Sequence, residues 1–526
     1  MPAEPIEPPY YPIIYVRGFA MRVRDVQSTV ATPFMGFNDG ATKQRQRPEG
    51  PVTPFVFESP LVRLMKEFGY RDVYQDGEQL GRRVQPRSIV IYRYYDEEDP
   101  DIGKKVSRLT RAKRALVGDL FGDPAKMLRW TENLRGLIYQ LRNSVCGDDD
   151  EQLQAFRVHL VAHSMGGLIC RCLLQNADLG NSTTIPLIDK VFTYATPHNG
   201  VDLLNLNIAS AYFRRPVMKR YLSITGDAVN SLEGKFDEKR FFCLVGTNAR
   251  DYDEVHGASR WAAGPMSDGL VVMENAYVKG AYRNDVHRSH SGAFGIVNSE
   301  EGYQNLGRFL FGDVVLEGRL VIDDLPPDEP GGMSRSYYVD CTAAPKGAYG
   351  YKLTRRRRDD WSAIHRTREQ LDSPKAADRT CALFSLFVAR ADPGGEKAVF
   401  SVDLAVSESV AEREGVPVVE DYLPDQYLFR QAITLTVGSR DKGLAYSFES
   451  QAYETKIGDA APFALENPDG TANIGDEQYV IHLTAINGFT GRLFVTIRRG
   501  DRDPFDELQA AQGRDADGRG TAEREA

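Results

Sequence analysis

No stretch of this chain is long and apolar enough to cross a membrane. The longest run without Asp, Glu, Lys or Arg is 14 residues, 478–491, and residues 158–170 form one of 13, where a spanning helix needs about 20. An excess of positive charge is also missing. Lys and Arg number 65 against 74 Asp and Glu, for a net charge of -9, which speaks against nucleic-acid binding by bulk electrostatics. The six cysteines, Cys146, Cys170, Cys172, Cys243, Cys341 and Cys381, are too scattered for a disulfide framework or a repeated C-x-x-C zinc pattern. Their number permits a reduced compartment. There is no internal repeat of solenoid or propeller period, no P-loop, no dinucleotide fingerprint and no His and carboxylate cluster at metal-ligand spacing, so neither a metal nor a cofactor is expected. The start, Met1-Pro2-Ala3-Glu4-Pro5, is acidic and proline-rich and lacks the basic start and apolar run of a secretory signal. The expectation is a soluble protein, cytoplasmic or exported without such a signal.

What is present is ordinary globular material: 526 residues, 42% apolar and 26% charged. That length predicts two or three domains. Up to about residue 312, short apolar runs alternate with helical stretches. Residues 12–16, 88–92, 156–161, 190–194 and 241–245 are apolar on both faces, as buried parallel strands are. Residues 128–141, 165–176 and 303–311 carry helical periodicity. Alternation of this kind predicts a doubly wound, mostly parallel α/β sheet over residues 1–312. Residues 21–60 interrupt it with Pro, Gly and aromatics and read as a surface insertion or as a lid.

Residues 313–332, with Pro326-Pro327 and Gly331-Gly332, read as a linker. Beyond it, about nine candidate strands are expected, many with period-two alternation, such as Ala432-Ile433-Thr434-Leu435-Thr436-Val437. They predict an all-β, sandwich-like domain over residues 333–500. Residues 501–526 are charged, poor in apolar residues and expected to be disordered.

The strongest chemical signal lies in residues 158–170, an apolar strand running into Ala162-His163-Ser164-Met165-Gly166-Gly167 and then a helix. A nucleophilic hydroxyl is best presented on a sharp strand-to-helix turn, whose residues two before and two after must be small. Ala162 and Gly166 fill those places. The plainer reading is a helix N-capped by Ser164. With the strand and Gly166-Gly167 attached, this region resembles the α/β-hydrolase superfamily, within it the lipase and esterase branch, over roughly residues 10–312. The usual first glycine of the elbow is Ala162 here.

The resemblance implies roles for further segments. Tyr15-Val16-Arg17-Gly18-Phe19-Ala20 is similar to the His-Gly-Phe segment of such hydrolases, with Arg17 in place of the histidine. It implies an oxyanion hole made by the backbone N–H groups of Phe19 and Met165. Thr196-Pro197-His198-Asn199-Gly200 resembles the family's T-P-H-x-G turn, which gives His198 a supporting role. Met266-Ser267-Asp268-Gly269-Leu270-Val271 resembles the turn that carries the acid, here Asp268. As residues alone it is an Asp-Gly turn, and Asp251 and Asp253 lie nearer the preceding strand in a polar loop. In His287-Arg288-Ser289-His290-Ser291-Gly292 two histidines compete for the base, which must sit in a loop to reach the serine. His290-Ser291-Gly292 resembles the family's ending, so His290 is taken as the base and His287 as the alternative.

The order Ser164, Asp268, His290 is the family's order. It implies a cofactor-free ester hydrolase acting on a small-molecule or lipid-like acyl substrate. Acyl transfer or amide cleavage by the same triad, and a non-catalytic scaffold with a binding β domain, are the alternatives. Arg355-Arg356-Arg357-Arg358, followed by Asp359-Asp360, reads as a solvated loop or as a contact to anionic headgroups. An appended β domain could then hold the enzyme at a lipid surface.

Overall fold

The computed structural model describes residues 4–18, 42–47, 50–56, 60–73, 83–92, 94, 124–179, 181–200, 215–251, 266–292, 294–327, 334–348, 350–389, 397–411, 426–438, 444–448, 458–459 and 477–500. The chain divides into two compact units, residues Met1–Leu306 and Gly307–Ala526.

In the first unit, β1 (Ile13–Val16), β2 (Thr42–Arg47), β3 (Gly50–Val56), β4 (Arg71–Asp72), β5 (Ser88–Tyr92), β6 (Val158–His163), β7 (Ile188–Tyr194), β8 (Phe241–Gly246) and β9 (Tyr282–Val286) are joined by helices. The main ones are α1 (Pro60–Phe68), α2 (Pro124–Cys146), α3 (Asp150–Ala155), α4 (Met165–Gln175), α5 (Arg215–Tyr221) and α6 (Glu300–Phe311), whose residues 307–311 belong to the second unit. Seven strands form one sheet in the order β4-β5-β1-β6-β7-β8-β9. Every neighbouring pair in it is parallel. The register sets Val16 beside Ala162 and Ala162 beside Thr193.

Inner strands so enclosed must be apolar on both faces, and β1, β5, β6 and β8 are buried almost throughout. Ile14, Val158, Leu160, Ala162 and Val191 pack with Leu134, Ile138 and Leu141 of α2 and Leu168 and Ile169 of α4. Ile13, Tyr15, Val161, Phe192 and Tyr194 are buried as well. Tyr194 reaches α6, its hydroxyl donating to the Gly302 carbonyl at 3.3 Å. Helix α6 is tied in turn to α1 through Tyr303 Oη on Glu67 (2.6 Å) and Arg63 on Glu300 (2.8 Å).

Strands β2 and β3 form a separate antiparallel pair. They and Pro60, which begins α1, are the described part of the 21–60 insertion; the rest of it lies outside the described residues, and its reading as a lid with it.

The second unit is antiparallel. Its four-stranded sheet runs Thr380–Phe387, Val314–Asp324, Thr490–Arg499, Glu477–Thr484. The other sheet is built on Ser334–Pro345, Lys397–Ala411 and Gln426–Gly438, flanked by shorter strands. Residues from both sheets share one core, among them Leu316, Leu320, Leu493 and Val495 from the first and Val339, Leu404, Ile433 and Leu435 from the second. The two antiparallel sheets thus share one apolar core.

One boundary differs from the sequence reading. Residues 313–332 are not a linker throughout, because Val314–Asp324, here β10, pairs on both edges within the four-stranded sheet. The charges that break its apolar pattern are answered across the sheet, as Arg498 binds Glu317 at 2.9 Å. The Pro326-Pro327 break begins only after the strand, and residues 328–333 and the tail 501–526 lie outside the described residues.

Leu320 separates the two descriptions of this segment. In a linker, Leu320→Ala would be neutral. In β10 the side chain is fully buried, so the substitution should destabilise the protein by about 2–5 kcal/mol, read by urea or thermal unfolding. An unchanged midpoint would contradict the placement of β10 in the core.

Candidate active site

Because all seven strands run the same way, their C-terminal ends lie along one edge of the sheet, where open α/β sheets bind ligands. Gly18 follows β1, Ser164 follows β6, Asp268 follows β8 and His290 follows β9.

Ser164 stands between β6 and α4 with φ 52° and ψ -125°, a region that non-glycine residues rarely occupy. Its side chain makes no cap hydrogen bond to the helix, so the plain N-cap reading does not describe it. Its Oγ lies 2.9 Å from His290 Nε2 instead. The backbone on either side is held, with Ser164 N–H donating to the Tyr194 carbonyl (2.9 Å) and Gly167 N–H to the Ser164 carbonyl (3.1 Å).

The turn needs small neighbours for a measurable reason. A Cβ on Gly166 would sit 2.5 Å from the carbonyl oxygens of both Val16 and Arg17, so β1 and α4 approach each other there to backbone distance. A Cβ on Gly18 would sit 2.6 Å from His163 Nδ1 and 3.2 Å from Ser164 Cβ, so the turn after β1 runs directly against the serine. Arg17 N–H donates to the Tyr92 carbonyl at 3.3 Å. Phe19, expected to supply one oxyanion amide, lies outside the described residues. Met165, expected to supply the other, is the first residue of α4, where amides have no acceptor inside the helix and favour negative charge.

His290 is buried and bridges two groups. Its Nε2 faces Ser164 and its Nδ1 lies 2.8 Å from Asp268 Oδ2. A carboxylate can only accept, so Nδ1 carries the proton and Nε2 is left to accept from the serine hydroxyl. Asp268 is buried in a turn that spends its second oxygen on the chain, Oδ1 accepting from Leu270 N–H (3.0 Å) and Val271 N–H (2.8 Å). His290 N–H donates to the Asp268 carbonyl at 2.9 Å, so acid and imidazole are joined through backbone as well as side chain. The loop is anchored next door, where Arg288 pairs with Glu301 at 2.7 Å. The structure thus brings Ser164, His290 and Asp268 into one hydrogen-bonded chain. It can pass a proton from a hydroxyl to an imidazole while a carboxylate stabilises the cation formed.

The other candidates fall elsewhere. His287 directly follows β9. Asp251 accepts from the Asn248 side chain at 2.6 Å, and Asp253 lies outside the described residues. His198 is fully buried, its Nε2 3.1 Å from Thr193 Oγ1, and its carbonyl accepts from buried Arg171 at 2.8 Å. Burial first, and Arg171 second, hold its pKa well below the usual histidine range, so the ring is neutral packing in the turn.

Sequence reasoning passed over His163. Its Nε2 lies 2.9 Å from the His290 carbonyl. The available signal was adjacency, because a residue beside a serine on such a turn is carried into the same edge.

Among the described residues no group of three or more His, Cys, Asp or Glu side chains is placed to hold a metal ion. No helix among them is long and apolar enough to cross a membrane. The arginine run in the second unit is largely engaged. Arg355 pairs with Asp360 at 2.7 Å and Arg357 with Asp359 at 3.3 Å. Arg356 is buried on the Ser362 carbonyl, and Arg358 lies over the Tyr338 ring.

No protein-family model matches the chain, and no curated protein matches it. Among solved structures, the chain is similar to one described as the crystal structure of the Tle4-Tli4 complex, at 14% identity and a TM-score of 0.16. The match covers 56% of this chain and 66% of that one, just under two thirds of its length. A likeness so distant says nothing of what this protein does.

Two glycine substitutions test the close approach at the serine turn. Gly136, exposed within α2, has nothing within 4 Å of a built Cβ, and Gly136→Ala should stabilise by about 0.5–1 kcal/mol. Gly166→Ala should lower the melting temperature, since two backbone carbonyls stand where the methyl must go. A neutral Gly166→Ala would show that β1 and α4 do not meet as described.

Proposed function

We propose that the protein is a serine hydrolase of carboxylic ester bonds, built as an α/β-hydrolase with an appended β-sandwich, acting on lipid-like or other acyl esters. The observation that carries this reading is the pair of contacts made by one buried ring, His290 to Ser164 Oγ at 2.9 Å and to Asp268 Oδ2 at 2.8 Å, on a serine with positive φ. The parallel sheet with helices on both faces agrees with the fold that the resemblance implies.

In this reading His290 Nε2 takes the hydroxyl proton as Ser164 Oγ bonds to the acyl carbon. Asp268 holds the tautomer and stabilises the imidazolium. The negative charge that forms on the carbonyl oxygen meets the N–H of Met165 and, by the resemblance, that of Phe19; such donors are worth about 3–4 kcal/mol each. His290 returns the proton to the leaving alcohol. Water, deprotonated by the same ring, then attacks the acyl-enzyme, releasing the acid and restoring the serine. The sandwich supplies none of these side chains, and its role in the reading is to hold the enzyme at a lipid surface.

Kinetics on a p-nitrophenyl ester test the roles. Ser164→Ala should abolish turnover with little change in melting temperature. Asp268→Asn should lower kcat by about 10⁴. His290→Ala should match Ser164→Ala, while His287→Ala keeps most activity. Full activity in Ser164→Ala would sink the reading, and reversed histidines would move the base to His287.

The substrate class rests on the resemblance alone, and a panel of p-nitrophenyl esters, triglycerides and phospholipid vesicles measures it. Best turnover on long acyl chains, and faster hydrolysis in vesicles than of the same lipid dispersed, supports the lipid reading. Cleavage restricted to amides, or product formed only with an added acyl acceptor, would replace it with the amidase or acyltransferase alternative.

A further inference from the structure

We infer that His163 is a positioning residue for the proposed base: its ring donates a hydrogen bond to the backbone carbonyl of His290 and so sets where the His290 ring stands relative to Ser164. The inference rests on the hydrolase reading and extends it to a residue outside the triad.

The geometry is direct. His163 is the last residue of β6 and the neighbour of Ser164. Its Nε2 lies 2.9 Å from the His290 carbonyl oxygen, and the two rings stand 5.0 Å apart, centre to centre. The opposite side of the ring meets the turn after β1, where a Cβ on Gly18 would come within 2.6 Å of Nδ1. The imidazole therefore fills the space between the turn expected to carry the oxyanion amide and the loop that carries the base.

The His290 peptide is held on both sides as a result. Its N–H donates to the Asp268 carbonyl at 2.9 Å, and its C=O accepts from His163 at 2.9 Å. One anchor is the backbone of the acid and the other is the side chain beside the serine, so the separations within the triad are set by covalent neighbours of its own members.

A carbonyl can only accept, so Nε2 of His163 must carry the proton. The surroundings keep that state. Burial, then the adjacent His290, with Arg17 contributing, push the pKa of His163 down to about 3. The ring is therefore a neutral Nε2–H donor near neutral pH.

A donor that only orients its partner should affect turnover and not substrate affinity. Glutamine offers an amide N–H at nearly the same reach as imidazole Nε2, whereas leucine fills space and donates nothing. On a soluble p-nitrophenyl ester, His163→Leu should lower kcat about 10²-fold, the loss expected when a reacting group is misplaced by about 1 Å. KM should stay within about twofold, and His163→Gln should keep kcat within about threefold of the parent. Wild-type kcat in His163→Leu, or an equal loss in both variants, would overturn the inference.

Ser164→Ala, assayed alongside, separates the two levels. If it retains activity the hydrolase reading fails, and if it is inactive while His163→Leu is unimpaired only the positioning role fails. Nitrogen-15 spectra of histidine-labelled wild-type protein test the same point without a substitution. They should show His163 protonated at Nε2 and not titrating between about pH 5 and 8. An Nδ1–H tautomer would overturn the inference as well.

Discussion

Ser164 holds a backbone conformation that costs about 1–3 kcal/mol, at φ 52°, and much of the surrounding structure is what keeps it there. Its N–H is fixed to β7 through the Tyr194 carbonyl. Its helix begins against the carbonyls of β1, at a distance that admits no side chain on Gly166. Its hydroxyl makes no capping bond to the helix and meets His290 instead. The parallel sheet makes this arrangement possible, because it delivers the ends of β1, β6, β8 and β9 to one edge, each with its own loop.

The loops then solve a problem of register. Nothing in strand pairing fixes the distance between side chains that hang beyond the sheet, so it must be fixed by bonds among the loops themselves. The Asp268 turn closes on its own amides and takes the His290 N–H. The His290 carbonyl meets His163, and Arg288 ties the same loop to Glu301 at the start of α6. Bonds of this kind hold Ser164, His290 and Asp268 at hydrogen-bond distance, 2.9 Å and 2.8 Å.

Much of this was legible where the chemistry is local. Apolar runs identify β1, β5, β6, β7 and β8 because strands buried on both faces must be continuous in apolar residues. The serine turn is written in small residues, since its constraint is steric and falls on immediate neighbours. Strand β9, Tyr282-Arg283-Asn284-Asp285-Val286, was not legible. Among the described strands it lies at the edge of the sheet, paired with β8, and its Arg283 and Asp285 neutralise each other at 2.8 Å. Strand β10 was read as linker together with the Pro326-Pro327 and Gly331-Gly332 break that follows it, and Arg498, which binds its Glu317, is 181 residues away. The contact of His163 with His290 spans 127 residues, so it has no local signature. Asp268 and His290 were named by resemblance and by chain order, and the hydrogen bonds that join them to Ser164 are a property of the folded chain.

The central claim is that Ser164 is a nucleophile activated by its surroundings, since an ordinary serine hydroxyl does not react with a fluorophosphonate. The most direct measurement is therefore intact-protein and peptide mass spectrometry after treatment of the full chain with a fluorophosphonate probe. The account predicts one adduct per chain, mapped to the peptide that contains Ser164, with none formed on the denatured protein. No adduct, or an adduct on a different serine, would contradict it.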